Sequence, residues 1–211
     1  MAATPERPPA APSPQEALSS LLCDVLPPQG AWSDREYLWL TDHTNRLIEL
    51  ADGDVEELPM PTDTHQAVLL FLYLQFRDYL EPRGGVARVA ALRMRVREGL
   101  FREPDVLLLR DRSDPRRQDR FWLGADLVVE VVSPDDPDRD LVEKRADYAA
   151  AGIPEYWIAD PRDETITVLA LAGDTYVEHG AFARGEAATS PSLTGFATDV
   201  DAVFDAPQSG A

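Results

Sequence analysis

Residues 127–160 carry the clearest signal of the fold, and their sequence is LVVEVVSPDDPDRDLVEKRADYAAAGIPEYWIAD. Its first part, Leu127 to Val132, is an apolar run typical of a central strand, and Glu155 to Ala159 predicts a second strand. Asp140 opens a helical segment between them, and Gly152 stands where a left-handed C-cap is required. The stretch therefore predicts a strand, a helix and another strand in succession.

The flanking sequence supplies more strands and helices. Ser33 to Glu36 has the spacing of a capping box, and Ala51-Asp52-Gly53 separates two strand-like runs as a hairpin turn would. Apolar residues recur at helical spacing from His65 to Leu80, whereas Leu92 to Arg97 alternates strictly, like a half-buried strand. Further strands and a closing helix are predicted over 106–109, 165–171, 175–178 and 199–204. This order suits an α/β (α+β) fold in which helices flank a mixed central β-sheet.

Length and composition favour a single domain. A chain of 211 residues that is 44% hydrophobic can bury one sizeable core. We expect a disordered Pro/Ala-rich tail over 1–15, one folded domain over 16–205 and a flexible tail over 206–211. No apolar run reaches the roughly 18 residues of a membrane helix, so no membrane contact is expected. Cys23 is the single cysteine and no leader peptide is recognised, which predicts a cytoplasmic protein.

The charge of the chain is strongly negative but unevenly distributed. A net charge of -18 argues against a protein that coats nucleic acid with its whole surface. Residues 83–120 nevertheless carry eleven arginines against six acids. Arg93, Arg95 and Arg97 share one face of the alternating strand and are the candidate contacts for nucleic-acid phosphates. The alternative is a solvated arginine face without a ligand.

Two carboxylates stand beside or within apolar strands. Glu130 interrupts the run of valines, where a charge is costly unless a cation, a metal ion or a proton compensates it. Asp105 follows Pro104 at the start of the apolar run 106–109. A solvent-facing position on an edge strand is the alternative for Glu130, and a simple turn residue is the alternative for Asp105.

Lys144 is the only lysine among twenty basic residues. On a helix it shares a face with Leu141 and Tyr148, so its ammonium is directed toward the core unless it extends along the helix to solvent. Two carboxylates and one ammonium suit Mg²⁺-assisted phosphate chemistry, with Mn²⁺ as a substitute metal. Asp105 and Glu130 would be metal ligands, and Lys144 would stabilise charge developing on phosphorus. The reaction expected of such a site is phosphodiester hydrolysis.

Several segments resemble the Uma-two family of restriction endonucleases, within the PD-(D/E)XK nuclease superfamily. They are Pro104-Asp105, Glu130 to Pro134 and the run from Asp140 to Pro161, and the likeness extends over about 33–204. The resemblance implies a restriction-endonuclease-like core and Mg²⁺-dependent cleavage of DNA, with Asp105 and Glu130 binding the metal. The superfamily places a lysine two residues after the glutamate, where this chain has Val132, so that role would pass to Lys144.

The same resemblance implies lesser roles for two more residues and leaves other functions open. Glu49 is a further acid near the metal, or only a hairpin residue; His65 contacts substrate or water, or only begins a helix. A catalytically inactive nuclease fold that binds nucleic acid or protein is the main alternative. A hydrolase acting on RNA or on smaller phosphate esters is another. Because nucleases that cut both strands are often symmetric, a homodimer is also an expectation.

Overall fold

A computed structural model describes residues 26–206. The expected tail over 1–15 and residues 207–211 of the expected C-terminal tail lie outside this range. The helices are α1 (Asp34–Asp42), α2 (Asp63–Leu80), α3 (Lys144–Ala150) and α4 (Val200–Asp205). The strands are β1 (Ile48–Ala51), β2 (Asp54–Glu57), β3 (Val86–Val89), β4 (Met94–Arg97), β5 (Leu100–Arg102), β6 (Val106–Leu109), β7 (Leu127–Val131), β8 (Glu155–Asp160), β9 (Thr165–Ala172), β10 (Thr175–Phe182), β11 (Ala187–Thr189) and β12 (Ala197–Asp199).

The central sheet has six strands in the order β10-β9-β8-β7-β6-β3. β7 and β8 are parallel, and the other neighbours in this sheet are antiparallel, so the sheet is mixed as predicted. A second sheet has the order β2-β1-β5-β4, and β11 pairs with β12. The single parallel pair is connected through α3, because a crossover between parallel strands needs a long connection.

Local sequence explains where the first elements begin and turn. Ser33 caps α1, accepting a hydrogen bond from the Glu36 amide while the Glu36 carboxylate accepts one from the Ser33 amide. Asp52 and Gly53 both have positive φ, which matches the tight turn predicted between β1 and β2. Helix α2 starts two residues before the predicted His65, with Thr62 as its N-cap, and a left-handed Gly84 follows its last turn.

The six-stranded sheet is covered on both faces. On one face, α2 contributes Leu72 and Phe76 to a core that also holds Trp157. On the other face, Tyr148 of α3 packs with Met94 and with residues of β6 to β9. The valines of β7 are buried on both sides, which explains its continuous apolar sequence. No helix in residues 26–206 has the length and apolar character needed to cross a bilayer.

The start of the second predicted helix differs from expectation. A π-helical turn over Arg139–Glu143 precedes α3, and no side chain caps the start of either segment. Asp140 is therefore no helix cap, because its carboxylate instead contacts the ammonium of Lys144 at 3.0 Å. Four short strands, β3, β5, β11 and β12, were not predicted, since runs of three or four residues show too little periodicity.

Candidate active site

Asp105 and Glu130 face each other across two neighbouring strands. The antiparallel register pairs Val106 with Val129, and one further step sets Asp105 opposite Glu130. Side chains that face each other in this way have Cβ atoms about 5 Å apart. The Val131 amide donates to Asp105 Oδ2 at 2.7 Å, which fixes the aspartate against the adjacent strand. Both acids are buried rather than turned to solvent, with 9% and 2% of their surface exposed.

Lys144 reaches this pair of acids from the first residue of α3. Its Nζ lies 3.0 Å from Glu130 Oε2 and 3.0 Å from Asp140 Oδ1, so it forms two close ion pairs. The lysine is buried and does not extend along the helix to solvent. Burial alone would lower the pKa of Lys144, but Glu130 and the neighbouring carboxylates raise it above its usual range. Lys144 is therefore a permanent ammonium in the resting protein.

Val132 occupies the position at which the nuclease superfamily places its lysine, and its side chain belongs to the apolar core. Val132 is buried in the same apolar cluster as Tyr148, on the face of the sheet that carries Glu130. A valine there supplies no charge, and the ammonium arrives from α3 instead. Tyr148 adds a neutral contact, because its hydroxyl donates to Glu130 Oε1 at 2.6 Å. Both Glu130 oxygens thus have a partner.

Glu49 joins the second sheet to the same cluster. Its Oε2 accepts hydrogen bonds from Arg102 at 2.7 Å and from Arg139 at 2.6 Å, while its Oε1 lies 3.9 Å from Lys144 Nζ. Although burial opposes ionisation, Lys144 and the two arginines lower the pKa of Glu49 to about 2. Glu49 is therefore a buried, fully ionised carboxylate whose oxygens are held by cations.

His65 contacts the other carboxylate of the facing pair. Its Nε2 lies 3.1 Å from Asp105 Oδ2, and its Nδ1 is buried without a hydrogen-bond partner among the described residues. Burial opposes protonation, but the hydrogen bond and the charge of Asp105 outweigh it and raise the pKa of His65 above its usual value. The first turn of α2 thus brings a proton-carrying group to the site.

A cavity of about 110 Å³ opens above these groups. Asp105, Glu130, Asp140, Lys144 and His65 all contribute to its lining, and Glu49 lies behind them. The opposite wall is apolar and comes from the loop between β2 and α2, which includes Leu58, Pro59, Met60 and Pro61. The cavity thus has a polar side, which carries the groups that could react, and an apolar side that stays accessible to solvent.

Carboxyl groups outnumber permanent cations around the cavity. Five buried carboxyl groups face three permanent cations, namely Glu49, Glu103, Asp105, Glu130 and Asp140 against Arg102, Arg139 and Lys144. Burial, together with Asp140 and Asp105, raises the pKa of Glu130 despite the contact with Lys144. Burial and the charge of Glu49 raise the pKa of Glu103 to about 8, and its Oε2 is buried without a partner among the described residues. A cation that entered the cavity would favour the ionised forms of these carboxyl groups.

The oxygen donors fit a hard cation, although they do not form a complete cage. No three His, Cys, Asp or Glu side chains within residues 26–206 converge so as to hold a metal ion by themselves. Mg²⁺ needs fewer, because it retains several waters and is held by one or two carboxylates together with substrate phosphates. The facing carboxylates of Asp105 and Glu130 are such a pair.

The three arginines predicted to contact nucleic acid lie outside this cavity and are already ion-paired. Arg93 contacts Asp42 at 3.2 Å, Arg95 contacts Asp34 at 2.7 Å, and Arg97 contacts Asp52 at 2.8 Å. Arg93 also donates to the Thr41 hydroxyl. These pairs fasten β4 to α1 and to the turn between β1 and β2. A phosphate would have to compete with a carboxylate at each of them.

The sequence did not indicate Asp140, Glu103, Arg102 or Arg139 as site residues. Asp140 lies four residues before Lys144, a spacing that brings two helical side chains together and that could have identified it. Arg102 and Arg139 are two of nineteen arginines, and nothing in their local sequence distinguishes them. They are brought to Glu49 by the β1–β5 pairing and by the π-helical turn.

The fold and the cavity together define a class of protein. Its members have a mixed sheet in which an Asp and a Glu face each other at the ends of adjacent central strands. A lysine from the crossover helix contacts this pair. The chain belongs to the Uma2 family, described as "Putative restriction endonuclease", whose profile matches residues 34–201. No curated protein matches its sequence. Its fold is similar to that of a crystal structure from Anabaena variabilis ATCC 29413, titled "a putative nuclease belonging to DUF820". That likeness has a TM-score of 0.67 at 19% identity, and it covers 83% of this chain and 99% of the other.

Proposed function

We propose that this protein is a metal-dependent nuclease that hydrolyses phosphodiester bonds in DNA. The observation that carries the proposal is the contact of Lys144 with Glu130, on the strand facing Asp105, at the floor of an open cavity. Membership of a family described as a restriction endonuclease supports DNA as the substrate.

Asp105 and Glu130 would hold Mg²⁺, with Mn²⁺ as a substitute. The ion would supply Lewis acidity toward the phosphate oxygens and lower the pKa of a bound water. The chain's own groups then have separate tasks. Lys144 places a fixed positive charge beside the phosphoryl oxygens, where negative charge increases in the transition state. His65 keeps the Asp105 carboxylate oriented, and the hydrogen bond and charge of Asp105 raise the pKa of His65 above its usual value despite its burial.

The test is cleavage of supercoiled and single-stranded DNA, and of single-stranded RNA, with Mg²⁺ or Mn²⁺ and with EDTA. We expect metal-dependent cutting of DNA that Glu130→Gln abolishes. The matched control is Glu143→Gln at the end of the π-helical turn, because Glu143 is exposed and does not line the cavity. Titration calorimetry with Mn²⁺ should show weaker binding in Glu130→Gln only. Equal cleavage by both variants would contradict the assigned site.

A second function is favoured by one observation. Within residues 26–206 the carboxylates around Lys144 are already engaged by cations and hydrogen bonds, as they would be in a purely structural cluster. A nuclease fold that binds nucleic acid without cutting it would show this arrangement. Folded protein that binds DNA but leaves it intact with either metal would support this second function.

A further inference from the structure

Three arginines on one surface of the protein lack carboxylate partners. Arg88, Arg112 and Arg117 are exposed, and none forms an ion pair with another described residue. Their hydrogen bonds go only to backbone carbonyls of Ala87, Gly84, Glu81 and Arg112. A guanidinium has five N–H donors, so most donors of Arg88 and Arg117 remain open to solvent.

These three residues, here called the arginine trio, line two adjoining surface depressions. The depressions have volumes of about 470 Å³ and about 510 Å³, and each member of the trio contributes to both. Ser113 and Gln118 add further hydrogen-bond donors to the second depression. Surface cations that converge on one concavity and form no ion pair there are suited to phosphate, which accepts several such bonds at once.

The loop that carries Arg112 and Arg117 is held in place before any ligand binds. The Asp111 carboxylate accepts from the Ser113 amide at 2.8 Å, and Arg116 bridges Asp114 and Asp126 at 2.7 Å each. The Arg112 amide donates to the Gly84 carbonyl, which joins the loop to the turn after α2. Because the loop is already ordered by its own contacts, binding an anion would require little further ordering.

Arg88 is the member of the arginine trio that lies nearest the candidate active site, on the edge strand β3. Arg88 is on β3 and pairs in register with Leu107, two residues after Asp105 on β6. Diagonal neighbours on one sheet face are about 7–8 Å apart. The strand continues to Ala90, whose amide donates to the Asp105 carbonyl and which lines the cavity itself. An extended polyanion that enters the cavity could therefore continue onto the trio.

We propose that the arginine trio binds the phosphodiester backbone of the nucleic acid beside the scissile bond. That the ligand is a nucleic acid rests on the proposed nuclease function. That it binds at this surface rests on which arginines form ion pairs and which do not. Arg93, Arg95 and Arg97 are each neutralised by an aspartate, whereas Arg88, Arg112 and Arg117 are not. Glu81, Asp114 and Asp119 also line the depressions, but none of them forms an ion pair with the trio, and Asp114 is paired with Arg116.

The experiment compares two variants that lose the same charge from different places. One carries Arg88→Gln, Arg112→Gln and Arg117→Gln; the other carries Arg93→Gln, Arg95→Gln and Arg97→Gln. Fluorescence anisotropy of a labelled single-stranded DNA oligonucleotide is measured in EDTA over a range of NaCl concentrations. We expect the trio variant to bind about 10- to 100-fold more weakly and its salt slope to become shallower by about 2, at roughly 0.7 per phosphate contact.

A double variant, Arg88→Gln with Arg117→Gln, guards against misfolding because it spares Arg112, which holds two carbonyls of the turn. The salt slope of the double variant should change by about two thirds as much as that of the trio variant. An equal or larger loss in the Arg93/Arg95/Arg97 variant would overturn the proposal, as would wild-type protein that does not bind the oligonucleotide. Binding is measured without metal and so does not depend on catalysis. If the protein does not cleave DNA but the trio variant still binds DNA more weakly than wild type, only the nuclease function is contradicted. If the protein cleaves DNA but the trio variant binds DNA as tightly as wild type, only the proposed binding surface is contradicted.

Discussion

Lys144 lies in a space that suits an ammonium better than a guanidinium. Its Nζ is within 3.0 Å of both Glu130 and Asp140, and the side chain is almost fully buried. A compact ammonium can direct three donors to converging carboxylates, whereas the wider, planar guanidinium prefers a single carboxylate in a flat arrangement. A chain that uses arginine at its other basic positions therefore has a physical reason for lysine here.

Replacing Lys144 by Met should remove cleavage and destabilise the protein. The buried carboxylates of Glu130 and Asp140 would lose their nearest cation, which typically costs about 3–5 kcal/mol of unfolding free energy. Cleavage should fall by at least about 100-fold, the usual effect of removing one group that stabilises transition-state charge. Urea unfolding and a cleavage assay measure the two effects. The control is Arg145→Met, which removes an exposed cation from the adjacent position and should change neither.

The stability effect of Glu103 should depend on pH. Its folded-state pKa of about 8 lies above the ordinary value of 4.5, so the folded protein holds a proton that the unfolded chain releases between these values. Wild-type stability therefore contains a contribution that is complete below about pH 4.5 and is lost as pH rises through 8. Glu103→Gln imitates the protonated form, so it should be about as stable as wild type at low pH and more stable, by roughly 1–3 kcal/mol, above pH 8.

Urea unfolding in EDTA near pH 5.5 and near pH 8.5 checks this expectation. The matched control is Glu98→Gln, an exposed residue in the turn before β5. A variant that is less stable than wild type at pH 8.5 would show that the folded protein favours the ionised carboxylate of Glu103, and that its pKa is not raised.

At the level of residues, the sequence identified side chains whose chemistry is unusual for their surroundings. Glu130 interrupts an apolar strand and Lys144 is a solitary lysine, so both could be selected by sequence alone. Arg102, Arg139 and Glu103 could not, because their importance depends on which strands lie side by side. Whether the predicted residues act on a substrate stays a prediction.

Strand register is what turns separate acids into a site. β6 and β7 pair so that residues 105 and 130 fall opposite each other, and a shift of one residue would send Glu130 to the other face of the sheet. The pairing of β1 with β5 similarly carries Glu49 to Arg102. The π-helical turn then brings Arg139 to the same carboxylate. Three elements thus meet at Glu49.

A double-mutant cycle measures how strongly Glu49 and Arg102 are coupled. Glu49→Gln should lower the unfolding free energy by about 3 kcal/mol, because Arg102 and Arg139 would each lose their buried counter-charge and keep only the more exposed carboxylates of Asp147 and Glu56. Arg102→Gln should cost a similar amount, since Glu49 loses one of its two bound guanidinium groups. The double variant should cost less than the sum of the two changes by about 1–3 kcal/mol. Costs that add without this difference would mean that solvent already screens the pair.

Elements were predictable where the local pattern is long or chemically specific. The capping box of α1, the turn before β2 and the periodicity of α2 each specify an element without help from tertiary contacts. The start of α3 was not predictable in this way. Asp140 resembles a helix cap in sequence, but its carboxylate is more stable beside Lys144, so the chain forms a π-helical turn instead.

For the whole molecule, the arrangement of charges is more informative than their total. A net charge of -18 repels polyanions over long distances, yet three aspartates beside β4 are each paired with an arginine. Which arginines are neutralised was not predictable from the sequence, since ion pairs such as Arg93 with Asp42 join residues far apart in the chain. Only the folded structure separates paired from unpaired cations.

The two larger sheets should unfold as one cooperative unit, as the expected single domain over 16–205 requires. They are connected through the backbone bridge between Met94 of β4 and Trp122 of the loop before β7, and through the ion pair of Arg102 of β5 with Asp147 of α3. Separating the sheets would break these contacts and expose the buried Arg102, so we expect neither sheet to be stable without the other.

Urea unfolding should therefore give one midpoint by far-UV circular dichroism and by fluorescence of Trp32→Phe and Trp157→Phe variants. Trp32 lies in the small core of the second sheet and Trp157 in the core of the six-stranded sheet, so each variant removes the reporter of one sheet. An earlier midpoint for the signal that depends on Trp32 would show that the second sheet unfolds separately. Glu49 would then leave the cluster while Lys144 and Glu130 stayed together, and the candidate site would open before the domain unfolds.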